Sequence, residues 1–208
     1  SDLVPHLGSV ADDLLMVRSM HSDEFNHHPG QLLMQCGVSR FGMPSMGSWL
    51  TYGLGSENNN LPSFVVMTDP KGRGLPKGQA QNWGAGFLPG SFQGTSLNNR
   101  GQPINDLTRS KNVSGRQQRR QLDFINRLNR EHQESRKANA ALEARIRSFE
   151  LAYRMQTAAP EVFDLKRESP STHSMYGLDE QRCAHFGRQC LTARRLVENG
   201  VRFVQLYS

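Results

Sequence analysis

Residues 198–207, ENGVRFVQLY, decide the fold, because a single glycine separates the end of a predicted helix from an apolar strand. The helix is predicted over 179–199, and Gly200 stands where a left-handed residue commonly ends a helix. A helix that leads at once into a buried strand is typical of the second half of a βαβ unit. The sequence therefore predicts an α/β protein with a parallel sheet. The predicted buried stripe of this helix consists of Cys183, Phe186, Cys190, Ala193 and Val197.

Two further apolar runs are predicted as buried strands. SFVVMT at 63–68 is continuous and rich in β-branched and aromatic residues, as in a strand covered on both faces. DDLLMVRSM at 12–20 is bounded by polar residues and short, which favours a strand over a helix. Both strands would join the sheet that the chain end predicts.

Two helices are predicted between these strands. Asn26 can cap the first, whose first turn tolerates a proline, and Gly37 ends it. The second begins after Pro44 and ends by Gly53 or Gly55. Alternating strands and helices are the expected order for an α/β sandwich.

The whole chain is predicted to be one partial α/β domain with a helical insertion. First strands and helices occupy 1–68, a long Gly/Pro/Asn-rich loop region 69–115, a helical cap or flank 116–175, and a helix with a returning strand 176–208. Three aromatic residues, Trp83, Phe87 and Phe92, indicate that part of the loop region is held against a surface, and a linker between two packed units is the alternative.

The net charge of +6 is concentrated in one segment. Residues 109–154 hold twelve Lys and Arg against five Asp and Glu, whereas the rest of the chain holds thirteen against fourteen. Such a block can attract nucleic acid or another anionic surface. However, Glu143 precedes Arg147 by four residues and Glu150 precedes Arg154 by four, so helical ion pairs offset part of the charge. Nucleic acid is therefore not predicted as a partner.

The sequence lacks the motifs that are typical of several other classes of protein. No apolar run approaches the roughly 18 residues that a membrane helix needs. The three cysteines are widely spaced in apolar surroundings and are predicted to be buried free thiols rather than zinc ligands or a disulfide framework. Neither a G-x-S-x-G motif nor a phosphate loop is present.

The candidate site is the loop SMHSDEFNHH at 19–28. It is predicted to leave the carboxyl end of a parallel strand, the edge at which open α/β sheets bind ligands. It then enters a helix amino terminus, which favours anions. Side chains that could hold a divalent metal or move a proton are His21, Asp23, Glu24, His27 and His28. A solvated loop with capping side chains is the alternative.

Several blocks of the sequence together resemble a known family. They include VRSMHSDEFNHHPGQLLMQCG, PSMGSWLTYGLGSENNNLPSFVVM, WGAGFLPGSFQG and FGRQCLTARRLVENGVRFVQLY, in this order along the chain. The chain resembles a bacterial sulfatase-like family long catalogued as domain of unknown function number fifteen hundred and one, in the alkaline phosphatase superfamily. The resemblance implies a three-layer α/β/α sandwich with a mostly parallel sheet.

The same resemblance implies a metal-assisted site for cleaving sulfate or phosphate esters, with a zinc, calcium or manganese ion. When Gly37 is aligned with the glycine that ends the sulfatase motif, His27 falls at the position of the sulfatase nucleophile. Gln31 then falls at the position of the sulfatase arginine. The resemblance thus implies His27 as the catalytic residue and Asn26 as substrate-binding. It implies His21, Asp23 and His28 as metal ligands, with the other ligands outside this chain, which would be an inactive internal fragment.

The expected function is therefore a sulfatase-like or phosphatase-like hydrolase domain whose site is incomplete in this chain. Its expected partner is an anionic small-molecule or carbohydrate-linked ester, and the resemblance implies a periplasmic or exported location. The alternative is a non-catalytic binding or scaffold protein that retains the fold.

Overall fold

The chain is seen here in a computed structural model, which describes residues 3–69, 76–98, 103–105, 107–134 and 140–208. Its α-helices are α1 (Pro5–Ser9), α2 (His27–Cys36), α3 (Met46–Leu54), α4 (Gly115–Glu134), α5 (Ala140–Phe163), α6 (Pro170–Met175) and α7 (Ala184–Glu198). Its strands are β1 (Phe64–Met67), β2 (Thr95–Ser96) and β3 (Phe203–Leu206). Short 3-10 turns lie at Ala11–Asp13, Gln79–Trp83, Gly90–Phe92 and Leu165–Arg167.

The three strands form a parallel sheet in the order β2-β1-β3, as an α/β fold requires. β1 is central, and Val65 pairs with Thr95 of β2 and with Val204 of β3. All four residues of β1 are buried. The strands predicted at 63–68 and after Gly200 are therefore confirmed.

Helices cover both faces of β1, which gives the predicted three-layer arrangement. On one face, Val65 packs in a core cluster that includes Leu196 of α7 and residues of α5. On the other face, Phe64 packs with Trp83. α3 crosses that second face, where Gly47 brings its backbone against the Phe64 ring. The structure is thus a partial α/β/α sandwich.

The structure confirms the helices α2 and α3 that were predicted from local features of the sequence. The Asn26 side chain accepts a hydrogen bond from the backbone N–H of His28 at 3.3 Å, so it caps α2 as predicted. α2 stops at Gly37, whose φ of 74° is the left-handed conformation that glycine adopts without strain. α3 ends before Gly55, within the predicted bounds.

The basic segment folds as an antiparallel hairpin of α4 and α5. Arg119 of α4 donates two hydrogen bonds to the Glu150 carboxylate of α5, at 3.1 and 2.9 Å. These bonds hold the pKa of Glu150 below its usual value. The predicted ion pair between Glu143 and Arg147 is present. Glu150 was predicted to pair with Arg154, but it binds Arg119 instead because the facing helix offers a two-pronged contact.

The strand predicted at 12–20 is wrong. After the turn Ala11–Asp13, the chain forms no strand, and Leu15 and Met16 are 90% and 79% exposed. An apolar run becomes a buried strand only where a neighbouring strand satisfies its backbone and a layer covers its side chains. Within the described residues, neither condition is met for this run.

The buried stripe predicted for the last helix is wrong for Cys183, Phe186 and Val197, whereas Ala193 packs against the core cluster as predicted. Cys183 precedes α7 and is exposed, and Val197 is 56% exposed. The helix instead buries Gly187, Leu191 and Leu196. A Cβ atom on Gly187 would lie 2.0 Å from the backbone oxygen of Tyr176, so the preceding segment packs directly on that glycine. Apolar character alone does not reveal such a contact.

The described part of the 69–115 region packs against the sheet and is not a free linker. Its Asn82 and Trp83 are buried, and its short strand β2 pairs with β1. The chain therefore returns to the sheet through this region before it enters the helical hairpin.

The three cysteines are free, as predicted, but they are not all buried. Cys36 and Cys190 are half-buried, and burial raises the pKa of both thiols, while Cys183 is exposed. Among the helices that the structure describes, none has both the length and the apolar character needed to cross a membrane.

Candidate functional site

Most of the predicted histidine loop faces solvent. His21, Asp23, Asn26 and His27 are all exposed. The contact recorded for His21 is local, with Nδ1 3.3 Å from the backbone oxygen of Ser19. These side chains do not converge, so the structure does not gather the loop into one pocket.

The amino terminus of α2 offers fewer backbone donors than the sequence suggested. The N–H of His28 is taken by the Asn26 side chain, and the N–H of Gly30 donates to the backbone oxygen of Asn26. Pro29 has no N–H. An anion at this end of the helix would therefore depend on side chains more than on the backbone.

His28 is the one predicted site residue that turns into the protein. Its ring packs on Phe41, with ring centroids 5.0 Å apart. Its Nε2 atom is buried and has no hydrogen-bond partner among the described residues. A buried imidazole nitrogen without a partner is uncommon, because the lost hydrogen bond costs about 1–3 kcal/mol.

A second unpaired polar atom belongs to Asn82, close to His28. Asn82 is fully buried, and its Oδ1 atom has no partner within the described part of the chain. Gly78 lies between the two side chains: a Cβ atom there would be 2.8 Å from Asn82 Nδ2 and 3.1 Å from His28 Nε2. Because Gly78 has no Cβ, its backbone packs directly against an imidazole and a carboxamide. We call these three residues the His28–Asn82 cluster.

Two further buried polar residues follow the carboxyl end of β1. Thr68 and Asp69 are 7% and 1% exposed, directly after the last residue of the strand. Gln189 of α7 donates to the backbone oxygen of Thr68 at 2.5 Å, and its Oε1 atom is buried without a partner among the described residues. Buried polar groups thus collect at the sheet edge where α/β proteins bind ligands.

Aromatic packing connects the His28–Asn82 cluster to the same edge of the sheet. Trp83, next to Asn82, lies with its ring 5.9 Å from that of Tyr207, which follows β3 at its carboxyl end. Cys36, at the end of α2, contacts the backbone oxygen of Gln81 through its Sγ at 3.8 Å. Burial also raises the pKa of the Tyr207 hydroxyl well above its usual range. Tyr207 is therefore a neutral hydrogen-bonding group rather than a proton acceptor.

The described residues do not form a complete metal site. No three His, Cys, Asp or Glu side chains in the ranges that the structure covers are close enough to hold a metal ion. His28 Nε2 and Asn82 Oδ1 are suitable donor atoms, but two neutral donors do not make a full coordination sphere. The predicted ligands His21 and Asp23 stay predictions that this geometry does not bring together.

Comparison with known proteins identifies the family. Residues 1–208 match the family described as "Protein of unknown function (DUF1501)". The chain belongs to this family. No curated protein matches the chain, and no solved structure matches it. The predicted membership of domain of unknown function number fifteen hundred and one is therefore confirmed.

Sequence reasoning missed three buried polar residues of this edge, Asp69, Asn82 and Gln189. For Asp69, a signal was present, because it comes directly after a continuous apolar strand. Asn82 and Gln189 gave no such signal, because they are distant from the strand in sequence and only the fold brings them to this edge. His28 was among the candidates, although the sequence placed His27 ahead of it.

Proposed function

We propose that this DUF1501 chain forms part of a sulfatase-like or phosphatase-like ester hydrolase, with its reactive edge at the carboxyl ends of β1 and β3. The observation that carries the proposal is the His28–Asn82 cluster, where His28 Nε2 and Asn82 Oδ1 are buried without a hydrogen-bond partner among the described residues. Unpaired buried groups of this kind commonly have a ligand or ordered water as their partner. A sulfate or phosphate oxygen is an acceptor that a protonated His28 Nε2 would suit.

The proposed roles follow from the chemistry of each side chain. With a proton on Nε2, His28 donates to an oxygen of the anionic group and can pass a proton to a leaving alcohol. Asn82 orients the bound group through its carboxamide. Asp69 is the buried carboxylate of this edge and the residue we assign to general base or metal-ligand duty.

A divalent metal ion is part of the proposal through the family resemblance alone. Its ligands would come mostly from outside these 208 residues, and bound metal would neutralise charge that develops on the ester oxygens. His27, exposed on the first residue of α2, is kept as the alternative catalytic residue. A non-catalytic binding protein is the second candidate, favoured by the lack of three converging metal ligands within the described ranges.

The test is hydrolysis of p-nitrophenyl sulfate and p-nitrophenyl phosphate by the full-length protein, with and without added divalent metal. We expect His28→Gln and Asp69→Asn to lower kcat about 100-fold or more, the usual scale for loss of an acid-base group. His27→Gln is the matched control, since it changes an exposed neighbour. A kcat that falls with His27→Gln and not with His28→Gln would place the chemistry on the loop instead.

Gly78→Ala separates catalysis from binding. Its new Cβ would lie 2.8 Å from Asn82 Nδ2 and 3.1 Å from His28 Nε2 and would displace these side chains, so we expect sulfate and phosphate to lose affinity while the fold persists. If no ester is cleaved but anion binding is observed and Gly78→Ala abolishes it, the binding-protein alternative is correct. If neither cleavage nor binding occurs and elemental analysis finds no metal, the proposed function is wrong.

A further inference from the structure

A cavity lies at the opposite end of the sheet from the proposed reactive edge. Its volume is about 470 Å³, and it is bounded by the amino end of β1, the end of α3, the turn Gly90–Phe92 and α5. Its wall combines apolar surface with amide and hydroxyl side chains, among them Asn58, Asn59, Ser63 and Gln93. This size falls within the range of small-ligand sites.

The cavity continues into a neighbouring groove. A second hollow of about 390 Å³ lies between α5 and the segment 90–96. Both hollows share Ser91, Gln93 and Arg147 in their walls. The two hollows together have the volume to hold more than one ring of a ligand, and their walls offer hydroxyl, amide and guanidinium groups.

Four exposed or half-buried aromatic rings extend from the mouth of this cavity. Phe92 lines the cavity and packs on Tyr52 at 5.3 Å between ring centroids. Tyr52 packs on Trp49 at 6.1 Å, and Trp49 packs on Phe87 at 5.7 Å. Trp49, Tyr52 and Phe87 are 44%, 54% and 63% exposed. We call these four residues the aromatic platform, and it presents apolar ring surface to solvent beside a polar groove.

The charge of the cavity favours an anionic ligand. Arg147 and Arg154 both line it. Arg147 is paired with Glu143, and Glu150, which also lines the cavity, accepts two hydrogen bonds from Arg119. Arg154 donates through Nε to the backbone oxygen of Asn59 at 2.6 Å. Its guanidinium is therefore the charged group of the cavity that we assign to a ligand, and guanidinium donors suit sulfate or carboxylate groups.

From these observations, we infer that the groove and the aromatic platform form a binding site for an anionic oligosaccharide that carries sulfate or carboxylate groups. Sugar rings present hydroxyl groups at their edges and C–H groups on their faces. The edges would meet the amides and hydroxyls of the groove, the C–H faces would pack on the aromatic platform, and Arg154 would bind the charged substituent. This site is separate from the His28–Asn82 cluster, so either assignment can fail without the other.

The test follows the two tryptophans of the chain by NMR during titration with a heparin-derived tetrasaccharide. We expect the indole N–H signal of Trp49 to shift, while that of Trp83 in the core does not. Maltotetraose is the uncharged probe and tripolyphosphate the probe of charge alone. We expect both to bind at least fivefold more weakly than the sulfated tetrasaccharide.

Paired variants separate the site from general attraction to the basic helices. We expect Tyr52→Ala and Arg154→Gln each to weaken tetrasaccharide binding at least fivefold. Their matched controls on α4 are Phe124→Ala, which is 51% exposed, and Arg127→Gln, whose guanidinium lies over the Phe124 ring. We expect both controls to change binding less than twofold. Circular dichroism of every variant checks that the fold is retained.

Three results would overturn the inference. The first is a Trp49 signal that does not move at millimolar tetrasaccharide. The second is equal loss of binding with Arg127→Gln and Arg154→Gln, which would mean diffuse attraction to the helical hairpin. The third is maltotetraose binding as tightly as the sulfated sugar, since an anionic ligand would then be the wrong class.

Discussion

Gly47 of α3 and Phe64 of β1 lie so close that a Cβ atom at position 47 would be 2.5 Å from the Phe64 ring. The ring of Phe203 would be 2.7 Å away on β3. Glycine at this one position therefore sets the distance between the helix layer and the sheet.

Gly47→Ala is expected to destabilise the protein. Overpacking a tight site costs about 1–3 kcal/mol, which outweighs the gain in helix propensity of about 1 kcal/mol when glycine becomes alanine. Gly53→Ala in the same helix is the matched control, because no atom would lie within 4 Å of its Cβ. Urea unfolding should therefore show lower stability for the first variant and unchanged or higher stability for the second. Equal effects would contradict the close contact.

Elements with local signals could be predicted from the sequence. Asn26 and Gly37 bound α2 through side-chain capping and a left-handed backbone, both of which depend on residue type alone. The continuous run at 63–68 identified β1, since burial on both faces leaves no polar position in the strand. These features explain why the α/β fold was predicted correctly.

Elements that depend on distant neighbours could not be predicted. β2 has only two residues, Thr95 and Ser96, and is a strand because β1 lies beside it. The buried face of α7 follows from the contact of Gly187 with the Tyr176 backbone, which no periodicity contains. The candidate site could not be predicted for the same reason. Asn82 lies close to His28 although more than fifty residues separate the two in the chain.

Arg119→Gln is expected to loosen the helical hairpin. Partly exposed ion pairs contribute about 0.2–1 kcal/mol, and this two-pronged pair should lie near the upper end. Arg147→Gln is the matched control, since Arg147 pairs with Glu143 on an exposed helix surface and should cost less. Thermal unfolding of both variants measures the difference. A larger effect from Arg147→Gln would contradict the bridging role of Arg119.

The contribution of the Arg119–Glu150 pair should depend on pH. Because Arg119 lowers the folded-state pKa of Glu150, the pair stabilises the protein fully above the unfolded-state pKa of about 4.3. This contribution is lost as the pH falls through the lowered folded-state pKa. The stability difference between wild type and Arg119→Gln should therefore be present at pH 7 and shrink at pH 3. A stability difference between the two proteins that grows at acid pH would contradict this prediction.

The three cysteines should react with iodoacetamide in a defined order. Cys183 is exposed, whereas burial raises the pKa of the Cys36 and Cys190 thiols and so reduces their thiolate fraction. Mass spectrometry after brief alkylation at pH 8 should find Cys183 modified first. In urea all three should react at similar rates. Early modification of Cys36 in the folded protein would show that the end of α2 is more open than the structure indicates.

The apolar run at 14–17 was predicted to lie in a buried strand, whereas the structure shows it exposed. Substitutions in this run can distinguish the two arrangements. Leu15 is 90% exposed, so Leu15→Glu should change the free energy of unfolding by less than about 0.5 kcal/mol, as surface substitutions usually do. Leu191→Ala in α7 is the buried reference and should cost about 2–5 kcal/mol. If Leu15→Glu costs as much as Leu191→Ala, the run is buried in solution and pairs as a strand. Urea unfolding monitored by circular dichroism compares the two, and a small effect at Leu15 would mean that the sheet is held by β1, β2 and β3 without this segment.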